Sequence, residues 1–145
     1  MTHPCRSKRL VVGFGATERG RLRGGKPDVF VSVEFDDAYT DYHEDEFIFY
    51  AILKKVGVKF DEAERNLWGD RKRSLVADNI SFRWFKREFD RVIRERDGED
   101  YYGFTDAKSA FMYGILSSEH NRTLLFTNLK DNWFWRVAKI MEKIK

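Results

Sequence analysis

Apolar and polar residues alternate most cleanly at Val29, Val31, Val33 and Phe35, with Ser32 and Glu34 between them. That is the period of a half-buried strand. A second segment, Lys8 to Phe14, holds Leu10, Val11 and Val12 and is expected to be a neighbouring strand, joined to the first by a mobile basic loop over residues 15–27. The pattern then becomes helical. Tyr42 to Val56 is expected to form a helix, with Asp41 as N-cap, Glu44 completing a capping box, Lys54 and Lys55 in the last turn, and Gly57 as the stop. Phe47, Ile48, Phe49, Ile52 and Leu53 spread around that helix, which marks it as a buried central element.

Beyond an extended piece at Val58–Phe60, Asp61 and Glu64 give a second capping pattern and predict a brief helix ending near Gly69. Asp70 to Asn79 reads as a loop. A helix follows from Ser81 to Arg96, capped by Asp78 or Asn79 and stopped at Asp97-Gly98, and Tyr101–Phe104 reads as a short strand. Thr105 is expected to cap a helix over Asp106–Ser118, on which Ala107, Ala110, Phe111, Gly114 and Ile115 form a small-residue stripe suited to close packing. Thr123–Thr127 reads as a strand, and Asn128 as the cap of a final helix from Leu129 to Ile144. No linker or repeat divides the chain. Residues 1–145 are therefore expected to form one α+β domain, a small antiparallel sheet packed with about four helices, with residues 1–7 flexible.

Composition adds four constraints. An apolar fraction of 42% over 145 residues supplies enough apolar surface to offset chain ordering, so a disordered tail is excluded. The longest apolar run, Phe47 to Leu53, is far below the roughly 20 residues of a membrane-spanning helix. A single cysteine, Cys5, and no secretory pattern at the N-terminus point to a reducing, cytoplasmic setting. Glutamine is absent and charged residues reach 35%, a bias expected of a thermophilic source.

The net charge of +3 is small, but the charges are segregated. Residues 1–27 hold seven basic residues against one acid, residues 34–46 hold seven acids and no Lys or Arg, and residues 71–96 hold nine basic residues against four acids. Blocks of this kind steer encounters with charged partners, unless they neutralise one another in the fold.

Apparent chemical motifs mostly lack their required context. Gly20 to Lys26 spells G-x-x-x-x-G-K, but Pro27 stands where a phosphate-binding loop needs Ser or Thr, and a strand follows instead of a helix. Gly13-Phe14-Gly15 is not followed by the helix of a dinucleotide fingerprint. Glu34 and Asp36 share a strand face near Asp37, Asp41 and His43, and such carboxylates could hold a divalent metal for a nuclease. The acids at 44–46 equally suit a helix N-terminus. His3 and His120 have no ligand-spaced partners, and neither a catalytic set nor a cofactor is expected.

Two helices rise above this background. On the helix beginning near Ser81, Arg83, Arg87, Arg91 and Arg94 line up opposite Phe82, Phe85, Phe89, Val92 and Ile93, and Trp84 falls off the apolar face. Glu88, Asp90 and Glu95 are spaced to pair with those arginines. On the final helix Trp133, Phe134, Val137, Ile140, Met141 and Ile144 share a face, while Trp135 points away from it, among Lys139 and Glu142. Trp and Arg are the residue types most enriched at binding hot spots.

The leading expectation is a non-enzymatic binding protein that docks on a larger protein complex through Trp135, Lys139, Trp84, Arg83, Arg87, Arg91 and Arg94. Nucleic-acid-processing or transcription machinery fits the charge blocks, as for a virus- or phage-encoded modulator of host RNA polymerase. One alternative is direct DNA or RNA binding by a basic loop, Arg19, Arg21, Arg23 and Lys26, and the arginine-lined helix, together with Arg71, Lys72 and Arg73. The other is a divalent-metal nuclease built on Glu34 and Asp36.

Overall fold

The computed structural model describes residues 10–17, 26–36, 47–67, 70–118, 121–122 and 133–145. In chain order the elements are strands β1 (Leu10–Thr17) and β2 (Asp28–Asp36), helix α1 (Ile48–Val56), strands β3 (Asp61–Leu67) and β4 (Asp70–Ser81), and helices α2 (Phe82–Glu95), α3 (Ala107–Ile115) and α4 (Trp133–Glu142). The strands form one antiparallel sheet in the order β1-β2-β4-β3. The helices pack on one of its faces, completing a single compact α+β domain.

The alternation read from β2 sets the core. Val29, Val31, Val33 and Phe35 are all buried, and Phe35 meets Phe47, Tyr50 and Phe60 edge-on at ring separations of 5.9, 5.1 and 5.7 Å. Helix α1 is buried through Phe49, Tyr50, Ala51, Ile52, Leu53 and Val56, as its all-round apolar wheel requires. It ends at Gly57, whose φ of 107° is the left-handed geometry expected of a helix stop, and Val58 N–H closes the turn on Leu53 O at 2.9 Å. The helix starts at Ile48, after an extended Phe47 that makes no side-chain cap, later than the expected start at Tyr42. The Asp41–Glu44 capping box lies outside the described residues.

The largest departure is at β3 and β4. Residues 61–69 were expected to be helical and 70–79 a loop, yet Asp61–Leu67 and Asp70–Ser81 form a hairpin. Two physical causes hid it. β3 is an edge strand of sequence DEAERNL, with little β propensity of its own, and its ladder bonds come from β4. Tertiary pairing overrides local preference, and charges on an edge strand also discourage pairing with other chains. In β4 the buried positions Leu75, Ala77 and Ile80 break the two-residue period because a bulge intervenes. Val33 pairs with Ala77 and Val31 with Ile80, so Asp78 and Asn79 together oppose Ser32. Asn79 adopts φ 54°, a left-handed conformation that Asn tolerates better than most residues, and donates its N–H to Ser32 Oγ at 3.1 Å.

Helix caps differ from the expected ones by one to three residues. Ser81, and neither Asp78 nor Asn79, caps α2 by accepting from Trp84 N–H at 3.3 Å. Asp106, not Thr105, caps α3 by accepting from Ser109 N–H at 3.0 Å, and α3 ends at Ile115. Tyr101–Phe104 is a tight reversal and not a strand. Tyr101 and Phe104 exchange backbone bonds of 3.0 Å around Tyr102 and Gly103, both at positive φ, and Asp100 accepts from Gly103 N–H at 2.7 Å. The strand expected at Thr123–Thr127, the expected Asn128 cap and residues 1–7 lie outside the described residues. Of the loop expected over 15–27, residues 15–17 belong to β1 and residues 18–25 lie outside the described residues.

The small-residue stripe of α3 is buried as expected, with Ala107, Ala110, Phe111, Gly114 and Ile115 all in the core. Phe111 receives Phe82 and Phe85 of α2 at 4.9 and 5.0 Å. Buried Asn121 donates to Val12 O at 2.9 Å and Ile115 O at 2.7 Å, tying the outer edge of β1 to the end of α3. No helix among the described residues is long and apolar enough to cross a membrane.

Candidate functional site: the outward faces of α2 and α4

Helix α2 begins over the first residue of β2. Asp28, 8% exposed, accepts from Val29 N–H at 2.8 Å, from Ser81 Oγ–H at 2.6 Å and from Arg83 N–H at 3.1 Å. Ser81 and Asp28 thus each satisfy an otherwise unpaired N–H of the first turn, from two different strands. Arg83 also donates Nε–H to Pro27 O at 2.6 Å. This arginine fastens α2 to the start of β2 and is half-buried.

The remainder of the arginine row is mostly neutralised along the helix. Arg91 donates to Glu88 Oε1 at 3.0 Å and to Glu95 at 3.1 Å, and these two bonds, Glu88 first, raise its pKa further. Lys86 pairs with Asp90 at 2.7 Å. Arg87 is 72% exposed and only loosely paired with Glu88 at 3.9 Å, and Arg94 is exposed with no ion pair to a described residue. Two arginines remain available where four were expected.

Trp84 also departs from its expected role. It is half-buried against the core and leans on the end of α1, its Cζ2 4.0 Å from where a Cβ at Gly57 would stand. The wheel places it off the apolar stripe of α2, but the turn after α1 covers that flank. A wheel drawn for one helix carries no information about such a neighbour.

Trp135 keeps its position. Helix α4 buries Phe134, Val137, Ile140, Met141 and Ile144, and Phe134 meets Phe14 of β1 at 5.2 Å. With those positions fixed inward, Trp135 is turned out and is 64% exposed. Val11 at 44% and Tyr113 at 38% are the other exposed large apolar residues among those described. Arg136, Lys139 and Lys143 are exposed, and Arg136 and Lys139 stand one and four residues along the helix from the indole. Glu142 is the acid among them, and it accepts from Lys108 of α3 at 2.6 Å. That bond, and then the charges of Lys108 and Lys139, hold the Glu142 carboxyl below its ordinary range. The face is therefore an indole in a basic collar. The sequence reading named Trp135 and Lys139 but passed over Arg136, whose adjacency to Trp135 was the available signal.

Among the described residues, the other candidates are not brought together into one site. Arg19, Arg21 and Arg23 lie outside the described residues. Lys26 is exposed. Arg71, Lys72 and Arg73 lie on β4 and not in a loop, and exposed Arg73 sits 3.7 Å from Glu62 of β3. Glu34 and Asp36 occupy alternate positions of β2, but no group of three or more His, Cys, Asp or Glu among the described residues could hold a metal ion. Asp37, Asp41 and His43 lie outside the described residues.

Comparison with protein families, with curated proteins and with solved structures finds no match to this chain.

Proposed function

We propose that this chain is a non-catalytic binding protein that docks on a larger protein through the outward face of α4, with Trp135 as anchor and Arg136 and Lys139 at its rim. The supporting observation is the 64% exposure of Trp135 on a helix whose other large apolar positions with a described side chain are buried. An indole that buries its ~150–250 Å² against a partner returns several kcal/mol at about 25 cal/mol per Å². The collar, with Glu142 already engaged by Lys108, selects an acidic partner surface and speeds encounter with it.

The partner class most consistent with the segregated charges is nucleic-acid-processing machinery, with RNA polymerase the target if the chain is a virus- or phage-encoded modulator. That role would operate in a reducing, cytoplasmic compartment, and the composition suits a thermophilic host. The test is affinity purification from the native host after nuclease treatment, comparing the wild-type chain with Trp135→Ala and Trp84→Phe. A protein retained by wild type and Trp84→Phe but lost with Trp135→Ala is expected. Direct titration of that protein should then show a loss of at least about 30-fold, the equivalent of ~2 kcal/mol at a hot spot. Identical retention by all three removes α4 as the docking face.

A further inference from the structure

Gly13 and Gly15 stand on the face of β1 turned away from the helices, opposite Ser32 and Phe30 of β2. Glycine inside a strand weakens it, because it loses the most backbone freedom and packs nothing, so its presence there calls for a cause. Three ordinary causes fail. Neither residue has positive φ. A Cβ built on either meets no described atom within 4 Å, so no close approach by a described residue requires glycine. The ring of Phe30, directly across from Gly15, does not lie over it, since that same Cβ position is empty.

The space left open is a shallow cavity of about 500 Å³ lined by Gly13, Gly15, Phe30, Ser32 and Asn79 among others. Its chemistry is polarised along the strands. The half-buried ring of Phe30 offers a flat apolar surface beside bare glycine backbone. The exposed Asn79 carboxamide makes no hydrogen bond to a described residue, and Ser32 Oγ, which accepts from Asn79 N–H, keeps its own proton undirected. Lys26 is exposed at the Phe30 end, with no ion pair to a described residue, while Asp78 is exposed beside Asn79 at the other.

We propose that this trough binds a nucleotide unit. The base lies on Phe30 and the glycine backbone, its polar edge meets the donor and acceptor of Asn79 and the hydroxyl of Ser32, and the phosphate turns toward Lys26 and away from Asp78. Aromatic stacking combined with a cation for the phosphate is the general mode of single-strand recognition, and a carboxamide matches the donor–acceptor edge of a base. This site is on a different face from α4 and does not depend on the docking role of Trp135.

A free nucleotide and a single-stranded nucleic acid share this chemistry, so both are tested. Amide chemical shifts of the full chain are followed as AMP is added. Fluorescence anisotropy is measured with a labelled single-stranded oligothymidylate of about 12 nucleotides at low salt. Shifts at Gly13, Gly15, Phe30 and Asn79 with either probe are expected. Affinity for the oligonucleotide far above that for AMP assigns the site to single strands, and comparable affinity assigns it to free nucleotides. Phe30→Ala should weaken binding by roughly 5- to 150-fold. Gly15→Val fills an empty position with a strand-forming residue, so it should melt no lower than wild type while losing at least about tenfold in affinity. Absence of shifts at these amides with both probes overturns the proposal, as does Gly15→Val binding like wild type. Equal binding of duplex DNA, insensitive to Phe30→Ala, overturns it as well.

Discussion

Gly114→Ala should destabilise this protein, although the same change in most helices does the reverse. In an exposed helix interior, alanine is better than glycine by about 1 kcal/mol. Here a Cβ on Gly114 would overlap Cζ, Cε1 and Cε2 of Phe49, well inside van der Waals separation. Phe49 is 1% exposed and lies in the buried core cluster, so its ring has no open direction in which to swing. Overpacking of this kind costs about 1–3 kcal/mol, and an overlap involving three ring carbons belongs at the top of that range. After the propensity gain, a net loss of about 2 kcal/mol remains, or about 4–8 °C in Tm for a chain of this size.

Urea denaturation followed by far-UV circular dichroism measures the loss directly, with Phe49→Leu and the double variant completing a cycle. Leucine lacks the three overlapping carbons, so Gly114→Ala should cost much less in the Phe49→Leu background. The expected coupling is about 1–3 kcal/mol. A single Gly114→Ala variant as stable as wild type, or more stable, would show that α1 and α3 do not cross at this contact.

Further outcomes follow from the same geometry. Asp28→Ala strands two backbone N–H groups and the Ser81 hydroxyl in a site 8% exposed, and should cost about 3 kcal/mol in the same assay, with Asp28→Asn intermediate. At the bulge, Asn79→Val should lose about 1–2 kcal/mol because a β-branched residue resists φ 54°, whereas Asn79→Gly should be nearly neutral in thermal melts. The Glu142 carboxyl should titrate below an ordinary glutamate in a carbon-detected NMR titration and return to the ordinary range in Lys108→Met. Because the folded value is depressed, the small stabilisation from this exposed pair is present above the unfolded pKa and is lost as pH falls through the folded one. Trp135→Ala should cost no more than about 2 kcal/mol of stability, since about a third of the residue is buried within the monomer, and its larger effect should fall on binding.

The sequence by itself determined whatever depends on neighbours along one element. The period of β2, the all-round apolar wheel of α1, the left-handed stop at Gly57, the small stripe of α3 and the outward turn of Trp135 are each set by contacts within a turn or two of chain. Tertiary structure decided what depends on a partner distant in sequence. β3 is a strand because β4 supplies its hydrogen bonds, and β4 escaped a period-two reading because the bulge at Asp78–Asn79 shifts its buried face by one position. Trp84 is covered by the turn after α1, and Arg83 is bound to Pro27, a residue 56 positions away. Arg91 belongs to the first group, since Glu88 and Glu95 at helical spacing were visible beside it. A helical wheel or a strand period gives the direction of a side chain relative to its own axis. Whether that direction meets solvent or another element is fixed only when the elements pack.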